Sequence, residues 1–114
     1  MAATKSAVSI MAAITTTQNS SQIDCSTDYA QEVYASITQV GTANTSAAQF
    51  LIAWSPDGST FYNGPIYTAG VNAATYYWTL AVPVTAVKVM INFTAQNGGT
   101  SSTITAQLGQ IVGI

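Results

Sequence analysis

The stretch FLIAWSPDGSTFY, residues Phe50 to Tyr62, decides the fold class of this chain. Its centre, Ser55-Pro56-Asp57-Gly58, has the residues of a type I turn, with Ser at the first position, Pro at the second and Gly at the fourth. An apolar run precedes the turn and an aromatic run follows it, which predicts a β-hairpin. In the first arm Phe50, Ile52 and Trp54 alternate with their neighbours, so we expect three large side chains on one face, at the start of a core.

Alternation of the same kind recurs along the rest of the chain. Residues 7–17 alternate with Val8, Ile10, Ala12 and Ile14 on one side, and further strands are predicted at 23–27, 29–40, 76–82, 87–95 and 102–108. Loops are expected at 18–22, 41–47, 69–74 and 97–99. A turn is expected at Asn63-Gly64, with at most a short extended piece at 65–67.

These elements predict an all-β protein of about seven to eight strands, without a helix, folded as a single antiparallel β-sandwich or jelly roll over residues 1–114. The large apolar side chains that share the inward faces form one predicted core. They are Ile10, Ile37, Ile52, Trp54, Trp78, Leu80, Val89, Ile91, Phe93 and Ile104, with Cys25 also facing inward.

Charged residues make up only 5% of the chain, where a soluble domain carries about 25%. Two Lys, four acidic residues and no Arg leave almost nothing to neutralise phosphates, so nucleic acid is excluded as a partner. Low net charge favours association. The surface therefore fits either an extracellular β-domain or a protein packed against copies of itself or a larger assembly.

Neither a disulfide nor a membrane span is expected. Cys25 is the one cysteine of the chain, so the fold does not depend on oxidation. No apolar run approaches the ~18 residues that cross a bilayer, and no membrane partner is predicted. The alternation in residues 7–14 favours a strand over a signal peptide, so we expect the mature chain to begin near Met1.

Few residues could carry out chemistry. The chain has no histidine, which excludes His-based catalysis, and Lys88 is predicted on the outward face of a strand without a nucleophile. Asp57 is explained by the turn, which leaves Asp24, Asp28 and Glu32 as the candidates for a carboxylate pair or a calcium site. Their spacing matches no known calcium loop, and a carboxylate pair among them stays open as the least favoured alternative. We therefore predict no enzyme activity and no catalytic, cofactor-binding or metal-binding residue.

A binding surface is the remaining alternative from the residues themselves. Sugar-binding sandwiches stack saccharides on exposed aromatic rings, and Tyr62, Tyr67 and Tyr77 are the rings not assigned to the core. The two Trp residues lie in register with aliphatic neighbours, which indicates burial.

From Gln31 onward the chain resembles the small β-sandwich structural proteins of tailed bacteriophage particles. The shared order is EVYASITQV at 32–40, WSPDGSTFY at 54–62, VKVMINFT at 87–94, a Gly-Gly turn, and STITAQL at 102–108. It covers roughly the last two thirds of the chain and is most like the capsid decoration, or cement, proteins. The chain lacks the Arg that many of these proteins carry near the penultimate strands.

The resemblance implies a virion structural protein on the capsid surface, assembled in the host cytoplasm. Its implied partners are the major capsid protein and further copies of the chain, as a homotrimer. Within residues 1–22, Ala2 to Ile14 is expected to act as a partner-contacting arm, or else the apolar segment Ile111 to Ile114. The alternative is a carbohydrate- or receptor-binding module of a phage tail or fibre, or of a secreted adhesin.

Overall fold

Strands account for all the regular structure in residues 4–41, 47–95 and 101–112, which are the residues that the computed structural model describes. The predicted loop at 41–47 falls largely outside these ranges, and the Gly-Gly turn at 97–99 falls wholly outside them. The nine strands are β1 (Thr4–Ile14), β2 (Gln18–Asn19), β3 (Ile23–Asp24), β4 (Asp28–Val40), β5 (Gln49–Ser55), β6 (Tyr62–Thr68), β7 (Ala74–Ala81), β8 (Lys88–Thr94) and β9 (Ser101–Val112).

The strands form two antiparallel sheets that pack face to face. The first sheet has the order β1-β9-β4-β7, and the second has the order β2-β8-β5-β6, with β3 also paired to β8. The prediction of an all-β antiparallel sandwich is confirmed. The count of seven to eight strands holds for the seven long strands, to which β2 and β3 add two residues each.

The strand pairs nest around the hairpin that β5 and β6 form. Moving outward along the chain, β4 pairs with β7, the short β2 and β3 pair with β8, and β1 pairs with β9. A long hairpin rolled up so that its halves face each other gives this order, which is how a jelly roll is built.

The turn of the central hairpin forms where the sequence predicts it. Ser55 Oγ accepts a hydrogen bond from the Gly58 backbone N–H at 2.8 Å, and Gly58 has a φ of 84°, which favours glycine. The Asp57 carboxylate accepts the backbone N–H groups of Ser59 and Thr60, each at 2.8 Å. These bonds pair the backbone donors of the loop and fix its path.

All ten predicted core residues belong to the hydrophobic core between the sheets. Seven of them are buried, while Trp54, Trp78 and Leu80 are partly buried against the others. Cys25 is also buried, as expected. The core further includes Phe50 of β5 and Met11 of β1. It also includes Val33 and Leu108, because β4 and β9 keep one face against the second sheet over most of their length.

The predicted turn at Asn63-Gly64 is wrong, since both residues lie inside β6. Leu51 pairs with Ile66, and Ala53 pairs with Asn63. The chain therefore advances two residues along β5 but three residues along β6 between these pairs. This is the count of a β-bulge, which takes up an extra residue and bends an edge strand without ending it. Pro65 fits because it lies in an edge strand.

The N-terminal part of the chain also departs from the prediction. The strand ends at Ile14 and not at residue 17, and Ala12 and Val8 are exposed whereas Met11 is buried. The register between β1 and β9 shifts twice, after Ser9 and after Met11, so the inward face changes partway along the strand.

Two other predicted boundaries change because strands are longer or more numerous than expected. The predicted loop at 18–22 contains β2, whose residues pair with Phe93 and Asn92 of β8. The final strand continues past Leu108 to Val112 and pairs with both β1 and β4. Residues 4–14 thus pair with β9 of the same chain, and their role as an arm that reaches a partner stays a prediction.

Candidate functional site

Part of the outer face of the first sheet is an uncharged surface that the strand register defines. Alternate residues of β4, β7 and β9 point away from the core and line up in rows across the three strands. We call this surface the polar face. Its rows are Thr75–Thr38–Thr103, Tyr77–Ser36–Thr105 and Thr79–Tyr34–Gln107.

Hydroxyl and amide groups provide all the polarity of this face. The hydroxyl oxygens of Thr38 and Thr75 lie 3.0 Å apart in a cross-strand hydrogen bond. Tyr77 is 78% exposed and Tyr34 is 49% exposed, so two aromatic rings stand in the rows of small side chains. A partner that covers this face would bury hydroxyls and rings, which costs less desolvation free energy than burying charges.

A cleft of about 420 Å³ lies at one end of the polar face, where β1, β9 and β4 run side by side. Gly109 lines it, and a Cβ atom at Gly109 would lie 2.9 Å from Cε2 of Tyr34, so the tyrosine ring covers the glycine. Lys5 and Glu32 supply the charges of the cleft. The cleft thus combines an exposed aromatic ring with a carboxylate and an amine.

The three acidic residues considered as site candidates in the sequence analysis, Asp24, Asp28 and Glu32, have different contacts in the structure. Asp24 accepts the Ser26 backbone N–H at 2.9 Å, and hydrogen bonding to Ser26 lowers the pKa of Asp24. The Asp28 carboxylate accepts a hydrogen bond from Nε2 of Gln110 at 2.7 Å, while partial burial raises the pKa of Asp28. Of these acids, Glu32 lines the cleft. Within residues 4–41, 47–95 and 101–112, no three side chains of His, Cys, Asp or Glu group to hold a metal ion.

The three tyrosines considered for sugar stacking do not form one platform. Tyr67 is half-buried, and its ring centroid lies 5.4 Å from that of Phe50 on the core side of β6. Tyr62 lies on β6 of the second sheet, whereas Tyr77 lies on β7 of the first. The sequence alone does not show which of the two sheets each of these tyrosines belongs to.

Tyr62 instead belongs to a smaller cleft, of about 270 Å³, near the turn of the central hairpin. Tyr62 pairs with Trp54 across β5 and β6, and Pro56 and Pro83 lie on the rim. Thr85 and Ala86 complete the lining. We call this site the end cleft. Trp54 thus contributes both to the core and to a surface site, although the sequence pattern assigned it to the core alone.

Cys25 and Lys88 have structural contacts of their own. The Cys25 thiol donates to the Ala86 carbonyl at 3.2 Å, and burial, with the nearby Asp28 and Asp24 carboxylates, raises the pKa of the thiol to about 11. Lys88 Nζ donates to Oε1 of Gln22 at 3.5 Å. A thiol with this pKa is a poor nucleophile at neutral pH.

Eight of the nine residues of the polar face were visible in the sequence as the outward half of alternating strands, whereas Thr75 lies before the strand predicted at 76–82. The sequence did not show that β4, β7 and β9 are neighbours, because that depends on pairing between distant segments. Gly109 was also missed, although a glycine inside a strand signals the close approach of another group.

Comparison with known proteins gives a fold and no family. No protein-family model matches this chain, and no curated protein matches it. Among solved structures, the chain is similar to the crystal structure of the SPBc2 prophage-derived protein YomS. The TM-score is 0.58, with 12% sequence identity over 96% of each chain. At this identity the likeness shows a shared fold over the whole length. No membrane-spanning helix is found in the ranges that the structure covers.

Proposed function

We propose that this chain is a non-enzymatic structural protein of a bacteriophage particle, and more specifically a capsid decoration protein that binds and stabilises the major capsid shell. The observation that carries the proposal is the polar face. Nine side chains in three rows form a surface without charge, and two of them are exposed tyrosines.

The fold supports a phage origin. YomS, a prophage-derived protein, shares the fold over 96% of both chains. The resemblance of residues 32–40, 54–62, 87–94 and 102–108 to phage particle proteins points to the same class.

The chemistry of the polar face suits a permanent contact with a regular lattice. Thr, Ser and Gln side chains can form many neutral hydrogen bonds, each worth about 0.5–1.5 kcal/mol, without bringing unpaired charges into an interface. Exposed tyrosines add apolar area and are common at the energetic centres of interfaces. Copies held together on a lattice then combine weak single contacts into lasting attachment.

The proposed partners are the major capsid protein and further copies of the chain, with the homotrimer that the resemblance implies. The proposed location is the outer surface of the virion, after assembly in the host cytoplasm. The arm at residues 1–22 is part of the same proposal. Deleting residues 1–3 with the start of β1 would weaken attachment to particles if that arm reaches the shell.

The test is the copy number of this chain in purified particles, measured by quantitative mass spectrometry against the major shell protein. We expect hundreds of copies in a simple ratio to the shell subunit. A handful of copies would refute the decoration role and indicate a tail location. Complete absence from particles would refute the virion role altogether.

A pair of variants tests whether the polar face makes the contact. Thr105→Lys places a charge in the middle of the face, and Thr60→Lys places the same charge in the exposed loop of the hairpin. We expect Thr105→Lys to reduce the occupancy of depleted particles at least tenfold and Thr60→Lys to leave it unchanged. Equal occupancy for both variants would show that another surface binds.

The end cleft favours a second candidate, a carbohydrate- or receptor-binding module of a phage tail or fibre. Tyr62 is 58% exposed and forms a cross-strand pair with Trp54, so one side of a sugar ring could stack there. The test is an NMR titration with simple saccharides. Binding that is lost in Tyr62→Ala but kept in Tyr29→Ala, a similarly exposed ring outside the end cleft, would support this candidate.

A further inference from the structure

Within residues 4–41, 47–95 and 101–112, each sheet of the sandwich ends in strands that pair on one side only, and we call the other side a free edge. In the first sheet these are β1 and β7, and in the second they are β6 and the short β2 and β3. A free edge presents unpaired N–H and C=O groups and is a template for pairing with another chain. Natural proteins protect such edges with charges, prolines, bulges or very short strands, so an edge without these features indicates a strand that pairs.

Three of the four edges carry these protective features. β1 contains Lys5 and two register shifts. β6 contains Pro65 and the bulge between its pairs with Leu51 and Ala53. β2 and β3 are two residues long each, and β3 ends in Asp24.

β7 has none of them. Its sequence, ATYYWTLA, contains no charge and no proline. Its residues from Ala74 to Ala81 pair with Gln39 to Glu32 of β4 one for one, without a register shift. The strand is therefore straight, regular and eight residues long, and its most prominent side chain, Tyr77, is 78% exposed.

We propose that β7 is the contact between two copies of this chain, which pair antiparallel through their β7 edges with Tyr77 opposite Tyr77. The first sheets of the two copies then join into one eight-stranded sheet around a two-fold axis. Such a contact is isologous and closed, so it stops at two copies. This two-chain association is an alternative to the homotrimer that the resemblance implies, because a closed two-fold contact has no place for a third copy. It does not depend on the virion role.

The sequence of β7 is self-complementary in this register. The segment TYYWT, residues 75–79, reads as a palindrome of residue types about Tyr77. Thr75 then faces Thr79 of the second copy, and Tyr76 faces Trp78. Cross-strand Thr–Thr and aromatic pairs are the favourable ones, worth roughly 0.2–1 kcal/mol each relative to alanine pairs. In this register the outward-facing side chains of the two copies lie on the same side of the joined sheet. A shift by one residue would place the outward side chains of one copy beside the inward side chains of the other.

The charges of the first sheet do not oppose this pairing. The carboxylate closest in register to β7 is that of Glu32, which lies opposite Ala81. In the antiparallel register, Ala81 of one copy faces residue 73 of the other. The two Glu32 rows are then eight residues apart along the strand, or ~27 Å at ~3.4 Å per residue. This exceeds the screening length of ~8 Å at physiological salt, so repulsion is small.

A second copy would also cover the inner side of the edge. Tyr76 and Trp78 pack against the core but remain partly exposed where the sheet ends. In the proposed register these two rings meet their counterparts from the other copy. The contact thus removes apolar aromatic surface from water in addition to pairing the backbone groups of the edge.

Native mass spectrometry and light scattering of the purified chain test the contact. We expect the mass of two chains for the natural sequence at about 100 µM. Tyr77→Lys places two like charges opposite each other on the axis and should shift the mass to one chain. Thr105→Lys is the matched control, because it lies in the same row of the polar face but two strands away, on β9. It should keep the mass of two chains.

Cysteine cross-linking tests the register. Residues directly opposite each other in antiparallel strands have Cα atoms ~4.5–5.5 Å apart, within the range for a disulfide. Tyr77→Cys should therefore form a cross-linked pair on mild oxidation. Thr79→Cys should not form a cross-linked pair, because residue 79 faces Thr75 of the second copy. The natural Cys25 does not interfere, since it is buried.

Any of four results would overturn the proposal: a monomeric natural chain, a mass of three chains, a mass of two chains that Tyr77→Lys leaves unchanged, or equal cross-linking of both cysteine variants. A failure here leaves the virion role standing, because that role is judged by copy number in particles. Conversely, a chain that pairs through β7 but is absent from particles would refute the virion role alone.

Discussion

Phe50 of the second sheet and Trp78 of the first meet edge to face across the core, with ring centroids 5.1 Å apart and an interplanar angle of 78°. Phe50 also contacts Tyr67 of its own sheet at 5.4 Å. Because Trp78 lies on β7, this contact ties the outermost strand of the first sheet to the central hairpin. The geometry is one that aromatic quadrupoles favour.

We expect the Phe50–Trp78 pair to contribute a coupling free energy of about 0.5–1.5 kcal/mol beyond the area it buries. The measurement is a double-mutant cycle of Phe50→Leu and Trp78→Leu, by urea unfolding at one protein concentration. A control cycle pairs Phe50→Leu with Tyr29→Leu, since Tyr29 is 58% exposed. Coupling in the control cycle that equals the first would mean that the ring contact adds nothing specific.

Gly64→Ala should destabilise the fold by about 1–3 kcal/mol, the usual cost of overpacking. A Cβ atom at Gly64 would lie 2.9 Å from the Ile52 carbonyl oxygen and 2.9 Å from Cη2 of Trp54. The carbonyl belongs to the backbone of β5 and cannot move alone. Denaturant unfolding measures the loss, and Asn63→Ala at the exposed neighbour should cost little. Equal losses for both variants would contradict this explanation.

Asp57→Ala should lower the melting temperature most at neutral pH. The backbone N–H groups of Thr60 and Ser59, with the Ser55 hydroxyl, lower the pKa of Asp57. Because the pKa of the Asp57 carboxyl is lower in the folded chain than in the unfolded chain, where it is about 3.9, the carboxylate stabilises the fold above that pH. This stabilisation is lost as the pH falls through the pKa of the folded state. The difference in melting temperature between the natural chain and Asp57→Ala should therefore narrow from pH 7 to pH 2.5. Ser59→Ala, measured alongside, should show a difference independent of pH.

Asp28→Asn should behave in the opposite way. Burial, the largest effect, raises the pKa of Asp28, the Gln110 hydrogen bond lowers it, and Asp24 raises it further. A carboxyl group whose pKa is raised in the folded state stabilises the fold at low pH, where it is protonated. This stabilisation is lost as the pH rises through the pKa of the folded state. The melting temperature of Asp28→Asn relative to the natural chain should rise between pH 3 and pH 7. A relative fall would mean that the 2.7 Å bond from Gln110 outweighs the effect of burial.

The Cys25 thiol should not react with a disulfide reagent in the folded protein at pH 7.5. Its side chain is 2% exposed, and its pKa is raised to about 11, so almost no thiolate is present. Labelling should follow global unfolding and therefore slow as stabilising salt is added. Rapid labelling under native conditions would show that the end of the sandwich around Cys25 opens locally.

The alternation of side chains carried most of the fold prediction. Val89, Ile91 and Phe93 point inward as expected, and so do Val33 and Ile37, because a strand buried on one face has a period of two. The prediction failed where an extra residue breaks that period, at Gly64 in β6 and near Met11 in β1. A bulge depends on the partner strand, and the sequence of one strand does not show it.

The candidate site was much harder to predict. The residues of the polar face other than Thr75 could be named as outward-facing, but their alignment in rows depends on β9 lying beside β4, far apart in sequence. The Tyr62, Tyr67 and Tyr77 platform failed for the same reason, since residues close in the chain were assigned to opposite sheets. Long-range pairing is the information that a single sequence lacks.

The nested order of strand pairs also constrains how the protein can be made. β9 fills the space between β1 and β4 in the first sheet, so that sheet cannot be completed until the ribosome has released residues 101–112. Until then β1 and one edge of β4 lack their partner strand, and the core lacks Ile104, Ala106 and Leu108. Non-local pairing of this kind slows folding and leaves nascent chains open to aggregation. Completion of the first sheet thus waits for the synthesis of β9, and the yield of folded protein should depend on how long β1 and β4 remain without it.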